Sequence, residues 1–337
     1  GLSIALTTRA HGAPDVTLRP GARVSLVVRA GSIAFIGLLL GMVGAGVAVI
    51  LAYYGVLFLC ALPVLRWGAR SLALLALGWG VAAPVLSMTM RPWLPAPTYD
   101  MPSPSFLLDP AQLLSEIVVT GYYPVLTWAT YLFAGMAIGR LDLRSPRTAV
   151  RLVMSGLWLA VVAVSISAVL IRFDGVRRAL IDTYDVLGGT TTAAELATDL
   201  YLGFFGTTPL GSGWWLGVWS PHSGSIVDLM HTTGTAMAVV GACLLVTSRL
   251  GVRARRAVGI AFGAGTMTLT LYAVHVLLLA APESFDWVTR ISVHVLLLAT
   301  VGSVLVATKI RGPLELLVSE IATYAARAAT DLPSPRR

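Results

Sequence analysis

The stretch VRLVMSGLWLAVVAVSISAVLI, residues 150–171, carries one charged residue, Arg151, in 22 positions. A helix of about 20 apolar residues crosses a hydrocarbon core of about 30 Å, so this stretch predicts a transmembrane helix. Further runs of similar length occur at about 25–44, 46–65, 70–90, 118–139, 226–247, 259–281 and 288–308. The sequence therefore predicts an all-α, polytopic integral membrane helix bundle of about eight transmembrane helices.

The composition agrees with a membrane protein. Apolar residues make up 56% of the 337 residues and charged residues 12%, whereas a soluble domain carries about 25% charged residues. Cys60 and Cys243 both lie within apolar runs and cannot build a disulfide framework. Residues 1–8 (GLSIALTT) are typical of the end of an apolar helix. We therefore expect a helix remnant there and further sequence upstream, with one or more additional spans.

The distribution of positive charge predicts the orientation. One side of the predicted spans carries 19 of the 24 basic residues and the other carries five. The five are Arg91, Arg172, Arg177, Arg178 and Arg290. The positive-inside rule places the richer side, and both ends of the chain, in the cytoplasm. The net charge of +8 is then a topology signal in a plasma-membrane protein, and nucleic-acid binding is rejected.

This orientation divides the chain into a transmembrane domain, 1–308, and a cytoplasmic tail, 309–337. Two long loops, 91–117 and 172–225, are predicted to be external. In the tail, Pro313 suits a first helical turn, and Leu314, Leu317, Ile321 and Tyr324 fall on one stripe. This pattern predicts an amphipathic helix at the inner membrane surface, with lipids as its partner.

Several ionisable residues are predicted at similar depth near the outer face. Asp228 and His231 are three residues apart at the start of one span, so the carboxylate could orient the imidazole as an acid/base. His222 lies just before them, and His275 lies in the outer third of another span. These four residues are the candidate catalytic groups. The alternative interpretation is that Asp228 caps its helix and the histidines are packing residues.

Aromatic residues in the same outer region are candidates for binding a sugar or another hydroxyl acceptor. Tyr122, Tyr123 and Trp128 open the run 118–139, and Tyr272 precedes His275 by about one turn. Interfacial anchoring of the tyrosines is the competing interpretation.

A basic segment on the cytoplasmic side is a candidate phosphate site. Arg253, Arg255 and Arg256 lead into a predicted helix that begins at Gly259 and includes Gly263 and Gly265. A helix N-terminus flanked by arginines can hold phosphate, as coenzyme A would require. The positive-inside rule equally explains the arginines, and Gly259-xxx-Gly263 is also a close-packing motif. No metal-ligand spacing is visible, so no metal is expected.

Five stretches together resemble the heparan-α-glucosaminide N-acetyltransferase-like family of multi-pass membrane proteins. They are ILAYYGVLFLCALPVLR (50–66), GYYPVLTWATYLFAGMAIGRL (121–141), SPHSGSIVDLMHTTGTAMAVVGACLLV (220–246), GTMTLTLYAVHVLLL (265–279) and RGPLELLV (311–318). They occur in the family's order and extend over most of the chain. Only Lys309 is a lysine, and this arginine-rich usage suggests an actinobacterial member.

The resemblance implies a helical acyltransferase that takes an acyl group, expected to be acetyl, from cytoplasmic acyl-CoA. The acceptor would be a hydroxyl or amine of an external sugar or glycolipid. The family's first span carries a histidine near its outer end, and this chain opens after that span. We therefore expect either that upstream sequence carries the principal histidine or that this member has lost the chemistry. In the chain itself, His231 or His275 would then be the acid/base.

Two other functions stay open from the residues alone. The first is a transporter or lipid translocator, although no internal repeat is evident. The second is a non-catalytic subunit of a cell-envelope assembly, and either a homodimer or a membrane-complex partner is compatible with the sequence.

Overall fold

The computed structural model describes residues 1–9, 20–184, 192–281 and 286–331, and no strand occurs among them. Parts of the predicted external loop 172–225 and of the tail, residues 185–191 and 332–337, lie outside the described residues. The α-helices are α1 (Leu2–Arg9), α2 (Pro20–Gly41), α3 (Leu51–Cys60), α4 (Ala69–Met90), α5 (Pro110–Ser115), α6 (Val125–Gly139), α7 (Pro146–Leu170), α8 (Asp174–Thr183), α9 (Ala193–Leu202), α10 (Ile226–Arg249), α11 (Val252–Ala261), α12 (Thr268–Leu279), α13 (Trp287–Ala307) and α14 (Pro313–Asp331). The predicted all-helical class is confirmed.

The number of spans differs from the prediction of about eight. Within the described residues, five helices are long and apolar enough to cross a membrane. They are Gly21–Gly41, Ala69–Trp93, Pro146–Leu170, Ile226–Arg249 and Trp287–Ala307. A sixth span is obtained if the bent pair Pro110–Thr120 and Val125–Gly139 is counted as one.

The three remaining apolar runs are broken, for local reasons. The run 46–65 becomes helical only at Leu51, because Gly44 and Gly46 turn the chain with φ values of 65° and 68°. Ten residues of α3 rise only about 15 Å. The run 259–281 is divided between α11 and α12 by a 3-10 turn over Gly263–Thr266.

The run 118–139 is interrupted at Gly121–Pro124. A π-helix over Glu116–Thr120 precedes the break, and Pro124 starts α6 as its N-cap. The two arms meet at 49°. Proline has no backbone N–H to continue the ladder, which explains the break at this position.

The described chain forms two compact units. In the first, which holds α1 and α4–α10, small residues bring helix backbones together. A Cβ added to Gly156 of α7 would lie 2.5 Å from the carbonyl oxygen of Gly234 in α10, and the reverse contact would be 2.7 Å. Such contacts allow close helix packing where lipid supplies no hydrophobic drive.

A cluster between α8, α9 and the loop before α10 completes the first unit. Its buried members are Val176, Leu180, Leu196, Trp215 and Val218. This cluster fixes the position of the segment that leads into the start of α10.

The second unit holds α2, α3 up to Leu59, residues 101–108 and α11–α14. The tail helix α14 packs along α2 in antiparallel orientation. Leu314 joins Ile33 and Ile36 in one apolar cluster, and Gly21 faces Ala326. The predicted location of this helix at the inner membrane surface stays a prediction, as does the orientation of the spans.

Candidate functional site

The start of α10 carries a buried carboxylate held by its own helix and by the preceding loop. Asp228 is 4% exposed. Its Oδ2 accepts a hydrogen bond from the Gly224 backbone N–H at 3.0 Å, and Oδ1 accepts from Thr232 Oγ1 at 3.3 Å. Ser225 Oγ accepts from the Asp228 N–H and donates to the Val218 carbonyl. The Ser225 hydroxyl therefore caps the helix, and the Asp228 carboxylate anchors the preceding turn from the first helical turn, where negative charge is favoured.

These contacts correct the predicted pair of Asp228 and His231. Among the described residues, no hydrogen bond joins the two side chains. The His231 ring lies against Trp219 instead, with ring centroids 5.1 Å apart. The prediction placed both residues correctly in the first turns of one helix, but the Gly224 N–H and the Thr232 hydroxyl occupy the carboxylate. The carboxylate therefore does not orient the His231 ring, and the role of His231 stays a prediction.

His222 is the histidine beside Asp228. It is solvent-exposed and has a φ of 56°, a backbone conformation that side-chain-bearing residues rarely adopt. Its carbonyl accepts the Gly206 N–H at 2.8 Å, which anchors the turn. Gly224, two residues further on in the same turn, donates its N–H to Asp228. An exposed imidazole therefore lies in the turn that the buried carboxylate holds.

Aromatic side chains of the α6 region line the same site. Tyr123 lies 5.0 Å from Trp128 and 6.4 Å from His222 between ring centroids. Tyr131 follows Trp128 at 5.4 Å. These rings form a continuous row from His222, in the turn before α10, to Tyr131 of α6, and we call this row the aromatic wall.

Tyr122 extends this region outward. Its ring makes edge contacts with Tyr99 and Phe205 at centroid distances of 6.1 and 5.8 Å. Its hydroxyl donates to the Tyr99 carbonyl at 3.2 Å. Three of the four predicted acceptor-binding aromatics, Tyr122, Tyr123 and Trp128, are thus neighbours.

The fourth aromatic residue and the fourth catalytic candidate belong to the second unit. The Tyr272 hydroxyl accepts from the Ile50 N–H at 3.1 Å, so it fastens the start of α3. His275 pairs with His294 at a centroid distance of 5.1 Å. The structure therefore assigns the four catalytic candidates to two different units.

Sequence reasoning missed Glu116. This residue is 1% exposed and opens the π-helix before the broken span. Its Oε1 accepts from the Thr98 N–H, the Thr98 hydroxyl and the Gln112 amide at 2.7–2.9 Å. A π-helix is often found at functional sites. The sequence signal for Glu116 was its position directly before an apolar run that contains Gly121 and Pro124.

The predicted phosphate site differs from expectation. Arg253, Arg255 and Arg256 lie within α11, which begins at Val252, and all three are exposed. They do not flank the N-terminus of a helix that starts at Gly259. A Cβ on Gly263 would lie 2.6 Å from the Gly302 carbonyl oxygen of α13, whereas Gly265 meets nothing within 4 Å. Gly263 therefore serves close packing.

No group of three or more His, Cys, Asp or Glu side chains in the described ranges could hold a metal ion. No family model, curated protein or solved structure matches this chain. The function is therefore inferred from the geometry of the site and from the motifs of the sequence.

Proposed function

We propose that this protein is a membrane-embedded acyltransferase whose reacting base is His222. The observation that carries the proposal is the exposed His222 imidazole at the end of the aromatic wall, in the turn that the buried Asp228 carboxylate holds through the Gly224 N–H. The donor is cytoplasmic acyl-CoA, with acetyl-CoA as the simplest case. The acceptor is a hydroxyl or amine of an external sugar or glycolipid. The motif resemblance supports this class of reaction.

The chemistry follows from the two side chains. The neutral His222 imidazole removes the proton of the acceptor hydroxyl or amine as its oxygen or nitrogen attacks the acyl carbonyl carbon. The carbon–sulfur bond breaks, and coenzyme A leaves as the thiol after it receives the proton. The Asp228 carboxylate stabilises the imidazolium that exists between these two proton transfers.

The aromatic wall suits an acceptor with a sugar ring. Tyr123 and Trp128 offer apolar ring surfaces next to His222, and their polar edges can bond to hydroxyl groups. This proposal assigns the acid/base role to His222, whereas the motif resemblance favoured His231 or His275.

The test is acyl transfer by the purified full chain in lipid nanodiscs, with radiolabelled acetyl-CoA and a panel of sugar and glycolipid acceptors. His222→Asn is the decisive variant, because asparagine tolerates a positive φ but cannot act as a base. General base catalysis contributes about 100- to 10,000-fold, so we expect a loss of at least about 100-fold. His231→Ala is the matched control and should retain most activity. An inert wild-type protein, or an active His222→Asn variant, would contradict the proposal.

The broken helices favour transport as a second candidate. Interrupted spans are typical of secondary transporters, and the pair Pro110–Thr120 and Val125–Gly139 is bent by 49° at such a break. Uptake of a sugar or lipid substrate into proteoliposomes without acyl-CoA would support this function. Such flux together with absent acyl transfer would replace the acyltransferase.

A further inference from the structure

The second unit contains a pair of histidines with unused ring nitrogens. His275 of α12 and His294 of α13 meet edge to face, with centroids 5.1 Å apart and planes at 83°. His294 is 8% exposed. Neither His275 Nδ1 nor His294 Nε2 has a hydrogen-bond partner among the described residues, and both atoms are buried. A buried polar atom without a hydrogen-bond partner costs free energy, so we expect these two nitrogens to bind a ligand.

The hydrogen bond on the other nitrogen fixes the tautomer of His294. Its Nδ1 lies 2.7 Å from the Arg290 carbonyl oxygen. A carbonyl oxygen can only accept, so Nδ1 carries the hydrogen. In the neutral ring, Nε2 then presents a lone pair. Metal-binding histidines commonly have this arrangement, in which the second nitrogen donates to a backbone carbonyl.

The separation of the rings suits coordination of one ion. A zinc ion is bound about 2.0–2.1 Å from a histidine nitrogen, which places each ring centroid about 3 Å from the metal. Two such rings at a tetrahedral angle have centroids about 5 Å apart. The observed 5.1 Å matches this separation.

We infer that His275 Nδ1 and His294 Nε2 form a transition-metal site between α12 and α13, for a borderline divalent cation such as Zn²⁺ or Co²⁺. Imidazole nitrogen is a preferred ligand of these ions. Two protein ligands leave two tetrahedral positions for water or a small ligand. Because both nitrogens are buried, the half-buried ring of His275 has to turn to admit the ion. This site is independent of the proposed acyl transfer.

The test uses the full chain without a polyhistidine tag, stripped with a chelator and titrated with Co²⁺. We expect one equivalent to bind with the visible absorption of tetrahedral cobalt, and Zn²⁺ to displace it. Elemental analysis after dialysis against Zn²⁺ should give one equivalent per chain.

His275→Ala and His294→Ala should each weaken Co²⁺ and Zn²⁺ binding at least about tenfold. His231→Ala, which removes an imidazole from the first unit, is the matched control and should bind like wild type. If His294→Ala does not purify as a monodisperse protein, the more exposed His275→Ala decides the result alone. Absence of saturable binding in the wild type, or binding that survives loss of His275, overturns the proposal.

Discussion

Replacing Glu315 by alanine tests how the second unit stabilises the start of α12. The Glu315 carboxylate, in the first turn of α14, accepts the N–H groups of Leu269 and Thr270 at 2.7 and 3.2 Å. It also accepts the Thr270 hydroxyl at 2.5 Å. The Thr270 oxygen in turn accepts the Leu314 N–H at 3.0 Å. One carboxylate and one hydroxyl therefore cap the beginnings of α12 and α14 together.

The size of the effect follows from the bonds lost. A hydrogen bond to a charged group contributes about 1.5–3 kcal/mol, and loss of a helix N-cap costs about 0.5–2 kcal/mol. Glu315 is half-buried, so water can replace part of the lost bonding. We expect Glu315→Ala to destabilise the protein by about 2–4 kcal/mol, and Glu315→Gln by less because the amide oxygen still accepts.

Thermal loss of helical circular dichroism in detergent measures this change. At about 2–4 °C per kcal/mol for a domain of this size, a destabilisation of about 2–4 kcal/mol lowers the midpoint by about 4–16 °C. Glu320→Ala is the matched control, because Glu320 is exposed on the same helix and makes no hydrogen bond within the described chain. Equal midpoints for Glu315→Ala and Glu320→Ala would refute the capping role.

Three further predictions concern the first unit. Gly156→Ala should lower the unfolding midpoint, because its Cβ would lie 2.5 Å from the facing carbonyl oxygen of Gly234. Gly78 has open space around it, so Gly78→Ala should raise the midpoint slightly. Burial, with the hydrogen bond to Asp199 and its charge, raises the pKa of Tyr184 to about 12. The stability from Tyr184 should be present below about pH 10 and lost as the pH rises through 12. Tyr184→Phe should remove both this loss and the step of the tyrosinate absorbance titration near pH 12. Glu116→Ala should increase proteolysis of the loop that carries Thr98. Glu116→Gln should not, because its amide oxygen can still accept the hydrogen bonds from Thr98. Equal cleavage of the two variants would contradict this prediction.

The sequence predicts the long spans well and the broken ones poorly. Uninterrupted runs such as 150–171 and 226–247 become the helices Pro146–Leu170 and Ile226–Arg249, because apolar length alone determines them. A hydropathy average cannot distinguish these from runs with a turn inside. At Gly121–Pro124 the break residues were visible, but tertiary packing decides whether a proline kinks or ends a helix.

The sequence predicted which residues lie in the candidate site, but it did not predict which of them contact each other. His222, Asp228, Tyr123 and Trp128 were all predicted near the ends of two spans, and the structure brings them together. The spacing of Asp228 and His231 suggested a hydrogen bond, but the Gly224 N–H and the Thr232 hydroxyl occupy the carboxylate. The contact of His275 with His294 depends on the packing of α12 against α13, which the local sequence does not encode.

Three acidic residues at helix starts or helix breaks are stabilised in the same way. Glu116, Asp228 and Glu315 each accept hydrogen bonds from backbone N–H groups and neutral side chains. The one ion pair among the described residues, Arg177 with Asp174, is exposed. Dipoles rather than basic side chains therefore hold these carboxylates. For Asp228 this distinction matters, because an acid neutralised by an arginine could not also stabilise a protonated His222. The bonds from Gly224 and Thr232 keep the carboxylate in place without a basic partner, so a structural role and the proposed catalytic role are compatible in this residue.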